Sequence, residues 1–180
     1  AIAHGLVGSE MGIRDRAITS GYFPLGAALI NERIATAFES DSSGKAAIGH
    51  GYTYSGHPVG AAAALAAIAE TRRLDVVTNA AARGTQLYDG MVSLAGQYPV
   101  VGDVRGGHGL MTAMELVADR ETKAPIDGKL AIKMQKAAYQ AGALIRVSGP
   151  NVILSPSLVI EEADIDIALN AVEEGLKAIS

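Results

Sequence analysis

Apolar positions along the chain follow two periods and break at glycine- and proline-rich stretches. Residues 1–16 hold no sustained period. From Ala17 the pattern changes: Gly21-Tyr22-Phe23-Pro24-Leu25-Gly26 is turn-rich and leads into the apolar run Ala27–Ile30, which predicts a buried strand. Asn31 is placed to cap a short helix over about 32–39, and polar Asp41–Lys45 predicts a surface loop. Pro58 suits the first turn of an alanine-rich helix running to about Arg72, because its missing N–H costs nothing there. A second helix over about 76–96 carries Val76, Ala80, Leu87 and Val92 on or near one face.

Further along, Tyr98–Val104 and Leu110–Val117 read as strands around the glycine-rich Arg105–Gly109. A helix over about 128–141 ends at Gly142, a C-cap residue type. Ala143–Arg146 and Val152–Leu154 are short β runs flanking a Ser-Gly-Pro-Asn turn. The last helix opens with Glu161, Glu162 and Asp164, which suit the positive end of a helix dipole. Its Ile165, Ala168, Val172, Leu176 and Ile179 recur at helical spacing. Strands and helices alternate without an internal repeat, so the fold class is α/β passing into α+β.

Composition narrows the function classes. The 180 residues are 49% hydrophobic and 19% charged, which excludes a disordered chain. A net charge of −4 offers nucleic acid no basic surface. The longest apolar run, Val59–Ala69, falls far short of the roughly 20 residues a bilayer requires. Zero cysteines exclude disulfides and thiolate metal sites and suit a cytoplasmic protein. The four histidines (4, 50, 57 and 108) lack metal-ligand spacing.

Three segments carry candidate chemistry. Thr53–Pro58 sets hydroxyls and glycines directly before a helix start, where free N–H groups and the helix dipole attract an anion; equally, Ser55 or His57 there would serve only as a helix cap. Arg146 ends an apolar β run and is either a carboxylate-binding fork or a solvated strand-end arginine. Arg105–Gly109 is either an anion nest or a turn between strands. A dinucleotide site is disfavoured, since no Gly-x-Gly-x-x-Gly follows a strand.

Four ordered stretches resemble the class III pyridoxal-phosphate-dependent aminotransferases, in the ω-transaminase or amine:pyruvate branch. Ala17–Gly26 is similar to the segment after that family's catalytic lysine, and His50–Pro58 to its second signature. Gly102–Gly106 with Leu110–Val117 resembles the strand pair opening its small domain. Arg146, Gly149 and Leu154-Ser155-Pro156 resemble a segment of the amine:pyruvate branch. The resemblance implies a carboxy-terminal piece of a fold type I transferase, with residues 17–80 from the large cofactor domain and 81–180 as the small domain. It also implies a homodimer, an amine or ω-amino acid donor, and a keto acid such as pyruvate as acceptor. Thr53 would take the cofactor phosphate of the neighbouring subunit, with Tyr52 beside it. Arg146 would hold the substrate carboxylate, and Tyr54 and Tyr22 would lie near the substrate. The loop at 105–109 is one residue longer than the family pattern, so His108 carries no role.

Arg16 occupies the position of the Schiff-base lysine, and arginine has no nucleophilic amine. Ser9–Arg16 resembles translated sequencing adapter, which implies that residues 1–16 are a non-native leader. The family's phosphate loop, ring-stacking aromatic and pyridine-pairing aspartate have no match here, so the expected chain is inactive as it stands. The alternative is a lysine-less dimerisation or phosphate-ligand module working through Thr53.

Overall fold

The computed structural model describes residues 18–43, 45 and 51–180, together with the backbone of 13–15. The chain divides into two compact units between Leu74 and Asp75.

In the first unit β1 (Ile13–Asp15) pairs antiparallel with β2 (Ala27–Leu29). Ile13–Asp15 thus takes part in a hairpin ladder, although the sequence reading assigns it to a leader. The strand expected to be buried at 27–30 is exposed along its length, because no helix among the described residues of this unit covers it. Helix α1 (Glu32–Glu39) starts where Asn31 Oδ1 accepts the Ile34 N–H at 3.0 Å. Helix α2 (Pro58–Arg73) begins on Pro58 as expected. Thr19, Gly60 and Ala64 are the buried side-chain positions among this unit's described residues, while Leu65 is 71% exposed.

The second unit is a two-layer α/β body. Its strands β3 (Val101–Arg105), β4 (Thr112–Asp119), β6 (Arg146–Ser148) and β7 (Asn151–Leu154) run antiparallel in the order β3-β4-β7-β6. A short β5 (Ala124–Pro125), not anticipated from the sequence, pairs with the end of β4. The second β run begins at Arg146 rather than Ala143, since residues 143–145 are spent leaving the preceding helix.

Alternation along β4 sends Thr112, Met114 and Leu116 inward. These meet α3 (Val76–Gln97), α4 (Gly128–Gln140) and α5 (Glu162–Lys177) in one core with Leu87, Met91, Met134, Ile165 and Val172. On α3 the buried stripe is Val76, Gly84, Leu87, Met91 and Leu94. Val92, expected on that face, is 44% exposed, because the stripe advances by three and four and passes through Met91. Gly142 follows α4 at φ +106, the left-handed stop its sequence position suggested.

Helix ends are tied by side chains. Arg120 donates to the carbonyls of Val101 (2.8 Å), Ala95 and Tyr98, closing the carboxyl end of α3 onto β3. Arg83 pairs with Glu162 at 2.8 Å, and Gln86 donates to Asp166, joining α3 to the first turn of α5.

Two outcomes test this packing. A Cβ on Gly84 would stand 2.3 Å from the Gly109 carbonyl oxygen, whereas one on Gly96 meets nothing within 4 Å. Gly84→Ala is therefore expected to cost about 1–3 kcal/mol by overpacking, while Gly96→Ala in the same helix gains roughly 0.5–1 kcal/mol. Urea unfolding of the two variants reads both; equal effects would contradict the close approach.

The second outcome concerns pH. The Thr122 N–H (2.7 Å) and hydroxyl (2.8 Å) both donate to Asp119 Oδ1 and hold its carboxyl below the usual carboxylate range. A depressed carboxyl stabilises the fold above its unfolded value and loses that contribution as pH falls through its folded value. The advantage of wild type over Asp119→Asn is expected to be steady above roughly pH 5 and to shrink below about pH 4. An advantage that stays constant down to acid unfolding would refute it.

Candidate functional site

The turn ahead of α2 concentrates unpaired donors. Tyr52 and Ser55 close on each other: the Ser55 N–H donates to the Tyr52 carbonyl at 2.9 Å, and the Tyr52 N–H to Ser55 Oγ at 3.0 Å. The His57 N–H then donates to the Tyr54 carbonyl at 3.2 Å. Gly56 takes φ +70, a conformation that glycine adopts without a Cβ penalty. His57 caps the helix, its Nδ1 accepting the Val59 N–H at 3.2 Å, which places the ring proton of the neutral imidazole on Nε2. Ser55 and His57 are thus both committed within the turn.

Thr53 is not committed. Its hydroxyl, and the N–H groups of Thr53, Tyr54 and Gly56, make no hydrogen bond with the described residues. Thr53 is exposed, as are Tyr52 and Tyr54 at 73% and 74%. No acidic residue stands in the first turn of α2, so nothing there opposes the helix dipole. This donor set fits a phosphate: a hydroxyl, exposed N–H groups and the amino end of a 16-residue helix.

Rings assemble beside this turn. Phe23 stacks on His57 with centroids 5.5 Å apart and planes inclined by 27°. Tyr54 meets the other part of His57 edge-on, at 5.6 Å and 68°. Tyr22, next to Phe23, is 89% exposed. The structure therefore gathers Tyr52, Thr53 and Tyr54 on one turn and connects them, through His57 and Phe23, with the segment carrying Tyr22. His57 is the helix cap that the sequence offered as one alternative, whereas its ring contact with Phe23 escaped the sequence reading, because neither residue type predicts a contact over 34 positions. Arg16 and His50 lie outside the described residues.

Arg146 belongs to the second unit. It opens edge strand β6 opposite Ile153, and its exposed side chain makes no hydrogen bond or ion pair with the described residues. Ladder register puts it on the same sheet face as Arg105, Ala113 and Ile153, away from the helices. Arg105, by contrast, is occupied: it pairs with Glu115 (2.8 Å) and Asp103 (3.3 Å) and donates to Asn151 Oδ1 (2.6 Å). Of these two arginines on that face, Arg146 is the one without a partner among the described residues. The loop 106–111 connects β3 to β4, with Gly107 and Gly109 at φ +83 and +77. His108 is exposed on it.

No described helix is long and apolar enough to cross a membrane, and no cluster of three metal-ligating side chains occurs among the described residues.

Comparison with known proteins gives these features a context. The family pattern described as Aminotransferase class-III matches residues 1–176. An uncharacterized aminotransferase of Sinorhizobium fredii is 36% identical over 168 residues, covering 91% of this chain and 36% of its own length. The taurine–pyruvate aminotransferase of Bilophila wadsworthia is 33% identical, with 91% and 38% covered. Among solved structures, a pyridoxal-phosphate-bound amine transaminase from an uncultivated Pseudomonas species superposes with TM-score 0.85 at 41% identity. That superposition covers 91% of this chain and 37% of the Pseudomonas chain. The chain thus spans little more than a third of the length of these relatives. Its architecture is that of the carboxy-terminal part of a fold type I pyridoxal-phosphate transferase, and the chain belongs to the class III aminotransferases.

Proposed function

We propose that this chain is the carboxy-terminal part of a homodimeric transaminase that moves an amino group from an amine or ω-amino acid to pyruvate or another keto acid. The observation that carries the reading is the uncommitted Thr53 hydroxyl among unbonded N–H groups at the start of α2. Thr53 holds the cofactor phosphate of the neighbouring subunit, and Tyr52 stands beside it. Ser55 and His57 keep the turn in shape without touching the ligand. Arg146 receives the substrate carboxylate, for which its planar fork supplies two parallel donors. Tyr54 and Tyr22 flank the substrate. Similarity to an amine transaminase and to a taurine–pyruvate aminotransferase supports the amine:pyruvate reading.

Pyridoxal phosphate, when bound, supplies the electron sink that lets a C–H bond beside nitrogen ionise. The chain's own residues bind and orient. The proton shuttle belongs to a lysine, and residue 16 is arginine, which stays protonated and offers no nucleophile. On this reading the chain by itself does not turn over.

Two experiments test the assignment. Arg16→Lys in this chain alone is expected to give no transamination above background, since the 180 residues span little more than a third of the relatives' length; measurable turnover would sink the inactivity claim. In the second, this chain with Arg16→Lys replaces the matching 37% of the Pseudomonas amine transaminase. The chimera is expected to transfer amino groups to pyruvate. Thr53→Ala should weaken its cofactor retention by about tenfold. Arg146→Ala should raise KM for carboxylate-bearing donors roughly 10- to 100-fold while sparing simple amines. A folded, cofactor-loaded chimera indifferent to both substitutions would favour the non-catalytic module.

A further inference from the structure

The Thr53 turn is contacted by a second segment, residues 19–23. Thr19 is 2% exposed, and its hydroxyl donates to the Phe23 carbonyl (2.6 Å) while accepting the Phe23 N–H (3.2 Å). The Tyr22 N–H also donates to the Thr19 carbonyl at 3.1 Å, and Ser20 and Gly21 adopt left-handed φ of 51 and 86. Residues 19–23 therefore form a closed loop whose product is a fixed Phe23 backbone.

The Phe23 ring then reaches α2 at two points. It stacks on His57, the N-cap, and it fills the space beside Gly60, where a Cβ would meet Phe23 Cε1 and Cδ1 at 2.9 and 3.0 Å. Gly60 is required there because the ring takes that volume. His57, in ring contact with both Phe23 and Tyr54, has Nδ1 aimed at the Val59 N–H. Its backbone directly follows Gly56, so the orientation of His57 sets how the Tyr52–Gly56 turn leaves the helix axis. This contact is not part of a broad core. The first unit's described residues have three buried positions, two of which, Thr19 and Gly60, are the endpoints of this chain of contacts.

We propose that Phe23 and His57 are positioning residues for Thr53, so that the phosphate affinity of the turn depends on an aromatic pair anchored by Thr19. The proposal rests on the reading that Thr53 takes a phosphate. It adds that the anchor lies three residues after position 16, so the segment following the family's lysine position and the phosphate turn behave as one mechanical piece.

Inorganic phosphate titrated into the isotope-labelled 180-residue chain, followed at the Thr53, Tyr54 and Gly56 amides, tests it. Wild type is expected to shift at these amides and Thr53→Ala to lose the response. Phe23→Ala is expected to weaken phosphate binding about fivefold and to speed solvent exchange of the Val59 amide, as loss of a helix cap does. Phe23→Tyr, which keeps the ring, should restore both. His57→Phe, which keeps the stack but not the Nδ1 acceptor, should speed Val59 exchange. Signals of the second unit serve as the control for folding and should not move.

If Phe23→Ala binds phosphate like wild type while Thr53→Ala does not, the positioning role is wrong and the phosphate reading survives. If wild type shows no phosphate response, or Thr53→Ala responds like wild type, the phosphate reading fails and the proposal fails with it. A Phe23→Tyr variant as weak as Phe23→Ala also overturns it, since ring volume would then not be what positions the turn.

Discussion

Burial of one face of the β3-β4-β7-β6 sheet beneath α3, α4 and α5 is the constraint on which the second unit depends. A pleated strand alternates its side chains, so a sheet covered on one side must divide its residues by parity. Met114, Leu116 and Val152 go to the helices and lose contact with water; Asp103, Arg105, Glu115 and Arg146 take the other face. Hydrophobic burial decides the parity, and the charged residues follow. Arg146 thereby reaches the uncovered face from the edge strand because Ile145 and Val152 must be inside.

The same parity explains why two arginines of one sheet face differ in use. Arg105 stands one strand from Glu115 and two from Asn151, with Asp103 on its own strand, so its donors are met locally. These exposed pairs add little stability, but they fix where the guanidinium lies. Arg146 sits beyond β7 with Ile153 as its cross-strand neighbour, which offers no acceptor. An unpaired guanidinium on an edge strand remains hydrated and available to a carboxylate.

The first unit works on another principle. With few buried side chains, it orders its turn through specific polar and ring contacts: Thr19 to Phe23, Phe23 to His57, His57 to Val59. Such contacts fix direction more than they add free energy, which suits a segment that presents a hydroxyl and N–H groups to a ligand. The family membership accounts for the residues at 17–26 and 50–58 appearing together, while the contacts explain what joins them physically.

By itself the sequence determined the helix starts at Asn31 and Pro58, the stop at Gly142, strands expected at 98–104 and 152–154 and found at 101–105 and 151–154, and the family. All of these depend on interactions within a few residues or on motifs read in order. It also identified Thr53 and Arg146 as candidates. Tertiary structure alone decided that Ala27–Leu29 is exposed, that Met91 displaces Val92 from the core face, and that Arg105 is occupied where Arg146 is not. It alone decided that the Phe23 ring stacks on His57, the cap of α2. Those outcomes turn on which neighbours arrive from distant positions, and no local periodicity encodes the company a side chain will keep.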